Sequence, residues 1–365
     1  MIQSFFIYYS IISACLGYAF LVSQNRFRLS AGVIYLCSFL LASMFIFFVG
    51  FRENVGEMIG YENYFETALN HGTESLVFLE LGFLRLLEFA TFVSKDSTVL
   101  FIIFALLQVA FLFRLVNRLD SINSYLLVTY FFTTLVFFQS LNITREHLAC
   151  LAVLNGVLAS RFISKSGYFL VAVLFHQVTF LMVALAIAAK ILSARSLVVI
   201  VFVLLGLWSI DFNFDFGLSF LLEIFMDESI VGRLSSYVEN DYILESGQTF
   251  SWVTVVFNIL VDLYIIFYLY TFKRSDALGY LRPLILIFIV GALLSPVAAI
   301  TGAILTARVA GSLYITKFIL LSTLEFRKFS LFSLINASIF IIYIYWMMSA
   351  VVKVSTLNAF SLVIF

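Results

Sequence analysis

The sequence predicts an all-α fold, a polytopic transmembrane helical bundle, and three observations predict it. The chain of 365 residues is 63% hydrophobic and only 12% charged, with mean hydropathy +1.10, whereas soluble domains run near 45–50% apolar and about 25% charged. Apolar segments of about 20 residues recur along the whole length, each long enough to cross a hydrocarbon core about 30 Å thick. Only two prolines, Pro283 and Pro296, punctuate them, and no composition shift marks a soluble domain. The reading is a single integral membrane domain over residues 1–365, with about 10–12 spans, outer-facing loops and interfacial or re-entrant helices.

Taken in order, the candidate spans are 2–22, 29–50, 98–113, 123–141, 147–163, 196–210, 250–271, 281–300, 302–322 and 330–351. Ile12-Ser13-Ala14-Cys15 has the look of a lipoprotein cleavage box. Because the apolar run continues past Cys15 with no basic start, an uncleaved first span is expected. Two segments read differently. Residues 76–93 carry Glu80, Arg85 and Glu88, too many charges for a span, and are expected to lie in the outer interface. Residues 167–190 are apolar but interrupted at His176-Gln177, and are expected to enter and return as a broken helix. With these two choices the positive-inside rule puts Arg26, Arg28, Arg114, Arg118, Arg161, Lys165, Lys190, Arg195, Lys273, Arg274, Arg282, Arg327 and Lys328 in the cytoplasm. The first outer loop with its amphipathic segment is then 51–97, and a long acidic outer loop is 211–249.

The basic residues left outside carry the functional question, because orientation gains nothing from them. Arg52, Arg145, Arg233 and Arg308 sit at connections or helix ends and are expected to line an outward-facing cavity. Arginine's planar fork suits phosphate oxygens, and a carboxylate or histidine suits base work on a hydroxyl. Phosphate-binding glycine loops, zinc-hydrolase spacings and paired Cys-x-x-Cys are absent from the sequence. Cys15, Cys37 and Cys150 all lie in apolar runs and read as small apolar fillers. Zero net charge argues against a nucleic-acid partner. The inventory fits chemistry on a lipid diphosphate at the outer face of a membrane.

The motifs resemble those of the Wzy-like, EpsG-type polysaccharide polymerases of bacterial inner membranes. They are Phe51-Arg52-x-x-Val55-Gly56, Tyr61-x-x-Tyr64 and Leu79-Glu80-x-Gly82-Phe83 in the first loop, then Asn142-x-x-Arg145-x-x-x-Ala149. Phe175-His176 at the helix break, Gly232-Arg233-Leu234-x-x-Tyr237 in the long loop and Arg308-x-x-x-x-x-Tyr314 in a late span complete the set. Two positions depart from the family's habit: Gly56-Glu57 replaces a Gly-Thr-Asp-Tyr run, and Glu146 follows Arg145 where glutamine is usual.

The resemblance implies a multi-pass protein of the bacterial inner membrane and a glycosyltransferase reaction. A growing glycan leaves undecaprenyl diphosphate for a sugar hydroxyl of a lipid-linked repeat unit. Arg145, Arg308, His176 and Glu57 are the candidate catalytic residues; Arg52, Asn142, Arg233, Tyr61, Tyr64 and Tyr237 are candidates for binding substrate. No cofactor and no metal site is implied, a divalent cation being left open. The expected partners are the lipid-linked oligosaccharide, membrane lipid and a chain-length regulator protein.

Each residue has a plainer reading beside the functional one. Arg145 could cap a helix and reach head groups, Arg52 and Arg233 could pair with Glu53 and Glu239, and His176 could be a hydrogen-bonded core histidine. Glu146 and His147 are read as surface polar residues at a helix start. The competing functions are a flippase or transporter for lipid-linked sugars, disfavoured by the lack of an internal repeat, and a ligase that moves finished glycan onto another lipid, such as in O-antigen or exopolysaccharide assembly.

Overall fold

The computed structural model describes residues 31–50, 57–119, 144–191, 252–272, 275–301 and 304–322, with a few isolated positions besides. The expected spans 2–22 and 123–141, all but Ser196 of 196–210, the long loop 211–249 and most of 330–351 lie outside the described residues. Every described element is helical, as the apolar runs require, and no strand occurs among the described residues. The chain divides into two compact units, residues 1–177 with 321–365, and residues 178–320.

The first unit holds α1 (Ala31–Gly50), α2 (Glu57–His71), a 3₁₀ turn at Thr73–Leu76, α3 (Leu81–Val93), α4 (Thr98–Arg118), α5 (Thr144–Val157) and α6 (Phe162–Phe175). α4 is long and apolar enough to cross a membrane. It buries Leu100, Phe104, Gln108, Leu112 and Leu115, a stripe at three- and four-residue spacing, and continues past the expected end at 113 to Arg118. α5 is buried almost all round from Glu146 to Val157 and so forms the centre of the unit. It ends at Val157 rather than 163, because the chain turns at 158–161 and restarts as α6. α4 and α6 flank it. At the turn end, Asn155 Nδ2 donates to the carbonyls of Phe111 and Leu151, and Arg118 Nη1 donates to the Asn155 carbonyl.

α3 occupies the segment whose charges spoke against a span. Its 13 residues make about 20 Å, too short to cross about 30 Å of hydrocarbon. Phe83, Leu87 and Ala90 form its buried stripe, while Arg85 and Glu88 pair on the exposed face at 2.6 Å. An aromatic core joins α2, α3 and α4: Tyr61 packs edge-on to Phe83 at 5.6 Å, and Phe83 stacks on Phe104 at 5.9 Å.

The second unit holds α7 (Thr179–Ile191), α8 (Trp252–Phe272), α9 (Ser275–Thr301), α10 (Ile304–Tyr314) and all but the last two residues of α11 (Thr316–Ser322). α9 packs against α7, α8 and α10. It runs 27 residues through Pro283 and Pro296, a tolerance for proline typical of membrane helices. The expected span 302–322 is divided at Ile315 into α10 and α11. The expected interruption near His176-Gln177 is observed: α6 ends at Phe175 and α7 begins at Thr179.

Candidate functional site

The antiparallel order of α5 and α6 brings the first residues of α5 beside the last residues of α6. Arg145 and Glu146 lie in the first turn of α5, and His176 follows the final residue of α6, its N–H still bonded to the Ala172 carbonyl. Glu80 comes from a third element, directly before α3. A carboxylate at a helix start ordinarily caps the helix or faces its dipole, but Glu80 makes no side-chain cap. Its carboxylate turns instead to α5 and α6.

Arg145 Nη1 donates to Glu80 Oε2 at 2.6 Å. His176 lies between two carboxylates, Nδ1 3.4 Å from Glu80 Oε1 and Nε2 3.7 Å from Glu146 Oε2. The Arg145 guanidinium also covers the Phe83 ring at 5.1 Å, a contact that adds to its retention. Side-chain exposure is 17% for Arg145, 15% for His176, 13% for Glu80 and 8% for Glu146, so the group is sheltered without being sealed. Burial pushes the Glu80 carboxyl up, but the hydrogen bond from His176 and the charges of Arg145 and His176 outweigh it and hold the group at about 2.

Gly82 is what allows this convergence. A Cβ there would stand 2.8 Å from the Leu174 carbonyl oxygen and 3.0 Å from its carbon, so only glycine lets α3 approach the backbone of α6 this closely. Glu80 is thereby brought within reach of His176.

Of the residues expected from sequence, the structure brings Arg145 and His176 together. Glu57 begins α2 and Arg308 lies within α10, while Arg52, Asn142, Arg233 and Tyr237 are outside the described residues. Tyr61 is buried in the aromatic core, its ring packed against Phe83 and Phe104. Tyr64 is half-buried at the edge of the same core, 6.0 Å from the ring of Phe78. Glu146 and His147, read from sequence as surface residues, are both buried, because α5 is enclosed from its first turn. Glu80 and Glu146 were not among the expected site residues. The available signal was that each acid falls within or beside a family motif, Leu79-Glu80-x-Gly82-Phe83 for Glu80 and the position after Arg145 for Glu146. No cluster of potential metal ligands occurs among the described residues. Cys150 is buried in α5.

A strongly apolar chain, helical throughout its described residues, that gathers an arginine, a histidine and two carboxylates at helix ends has the character of a membrane protein with a sheltered polar cluster. The family is now identifiable. The EpsG family model matches residues 33–363, and the chain belongs to the EpsG family, the family of Wzy-like polysaccharide polymerases. No curated protein and no solved structure matches it significantly. The matched region contains every residue of the cluster.

Proposed function

We propose that this protein is a multi-pass glycan polymerase of the bacterial inner membrane, acting at its outer face on substrates linked to undecaprenyl diphosphate. The acceptor is the non-reducing-end sugar of a lipid-linked repeat unit. Its hydroxyl oxygen attacks the anomeric carbon of the growing glycan, the bond from that carbon to the diphosphate breaks, and undecaprenyl diphosphate departs with the bonding electrons. The hydroxyl proton passes to a base. Arg145 is the cation for the departing diphosphate and His176, flanked by Glu80 and Glu146, is the proton acceptor. Arg308 is the second arginine of this reading.

One observation carries the proposal: Arg145 is held by Glu80 beside His176 in a sheltered polar cluster of an EpsG-family chain. A mere head-group anchor would have no need of a sheltered carboxylate partner or an adjacent imidazole. The test is the glycan ladder of a deletion strain complemented with wild type or Arg145→Ala. Wild type should restore long chains, while the variant, present in the membrane at wild-type level, should leave single repeat units, a loss of about 10²–10³ in rate. An unchanged ladder on deletion would remove the polymerase reading. Loss of short capped chains together with long ones would favour the ligase.

A further inference from the structure

The second unit contains a polar network that the reaction scheme does not use. Lys317 in α11 has a side chain that is 0% exposed, and its partner Asp262 in α8 is 8% exposed. Lys317 Nζ lies 2.7 Å from Asp262 Oδ1 and donates to the Tyr314 hydroxyl at 2.7 Å and to Asn258 Oδ1 at 3.3 Å. The Tyr314 hydroxyl in turn donates to Asp262 Oδ2 at 2.6 Å. Three acceptors around one ammonium, and two donors on one carboxylate, compensate charges that would otherwise be very costly to bury.

Tyr314 is the residue on which everything converges. Its hydroxyl is tied to α8 and α11, its ring lies 6.1 Å from that of Phe288 in α9, and its backbone rests in a notch of α9. The notch is Gly291: a Cβ there would be 2.9 Å from Leu313 Cβ and 3.0 Å from the Tyr314 nitrogen. Tyr314 also closes α10 just before the break at Ile315, where Thr316 Oγ1 bonds back to the Leu313 carbonyl at 2.8 Å. A helix gripped at its last residue by hydroxyl, ring and backbone can neither slide nor rotate. Arg308 lies six residues earlier on that helix, about 9 Å along its axis.

We infer that Asp262, Tyr314 and Lys317 are positioning residues that fix the register of α10 and thereby the place of Arg308. The inference rests on the polymerase reading, in which Arg308 serves the reaction. A network that only added stability could sit anywhere in the unit, whereas this one grips the end of the helix that carries the arginine.

The test uses the full-length protein in membranes of a deletion strain that accumulates lipid-linked repeat units. Rates and half-saturation are measured for Tyr314→Phe, for the double variant Asp262→Leu/Lys317→Leu, for Arg308→Ala and for Tyr314→Phe/Arg308→Ala. Tyr314→Phe keeps the ring and removes only the bridging hydroxyl. It should lower kcat on the order of ten- to a hundred-fold with KM unmoved, and adding it to Arg308→Ala should cost nothing further. The Asp262→Leu/Lys317→Leu variant should behave likewise at wild-type abundance, and if it fails to accumulate, Tyr314→Phe decides alone. Wild-type kcat in Tyr314→Phe, or a full multiplicative loss when it is combined with Arg308→Ala, would overturn the positioning role. Wild-type kcat in Arg308→Ala would overturn it too, and would place the fault in the role given to Arg308. The ladder of Arg145→Ala reports separately on the polymerase reading.

Discussion

Residues 1–177 and residues 178–320 each bury charge, and they do it in opposite ways. Around Lys317 the contacts are short and the ammonium is completely enclosed. Around His176 the distances are 3.4 and 3.7 Å, carboxylates outnumber the arginine two to one, and each side chain keeps some exposure. A closed, mutually satisfied network holds helices. A looser one with a surplus of acceptors and an imidazole leaves room for a ligand to exchange partners. Both groups are buried, so burial alone does not say what either is for; they differ in residual exposure and in the balance of acid against base.

The largest effect that could break this contrast is expected at Glu80. Glu80→Gln should abolish long chains and destabilise the purified full-length protein by about 3 kcal/mol, since it strips Arg145 of its charged partner. The same residue sets an acid limb. Its folded carboxyl is held at about 2, below its ordinary 4.5, so its contribution is complete above about pH 4.5 and is lost as pH falls toward 2. That shift is worth about 3 kcal/mol. Thermal melts from pH 7 to pH 3 should show the wild type losing stability below pH 4.5 and Glu80→Gln losing markedly less. Equal acid limbs would mean that Glu80 is not held as described.

A middling effect is expected at Gly82. Gly82→Ala drives a methyl against the Leu174 carbonyl, so α3 must back away from α6, at about 1–3 kcal/mol. Because Glu80 moves with α3, the glycan ladder should shorten as well. Loss of stability with a normal ladder would show that the position of Glu80 is not critical. The smallest effect is expected at Arg85, whose pair with Glu88 is exposed on the opposite face of α3. Arg85→Ala should leave both the ladder and the melting temperature unchanged.

How much of this was legible beforehand follows from how far apart the partners are in sequence. The helices could be read because each apolar run carries its own signal, and the break at His176 because a polar pair interrupts one such run. Arg145 stood out by violating the charge bias of its side of the membrane. Its partner did not, because Glu80 is 65 residues away and an acid in an outer segment looks solvated. Asp262 and Lys317 were harder still. They lie in separate helices, and nothing local says that two charges of opposite sign, 55 positions apart, cancel one another. Glu146 and His147 were misjudged because a helix start usually meets water, whereas this one is enclosed by its neighbours.

The stacking of Phe83 on Phe104 has a consequence for where a substrate must travel. It fixes the level of the Arg145 centre on α4 about six residues from Thr98, or some 9 Å along the helix. On the polymerase proposal, with α4 filling the hydrocarbon slab from end to end, the substrate's diphosphate would descend by roughly that depth before it meets the guanidinium. The lipid that carries it would then have to bend or tilt to follow. Under that proposal, the depth set by one pair of aromatic rings would bear on which lipid-linked substrates reach the arginine.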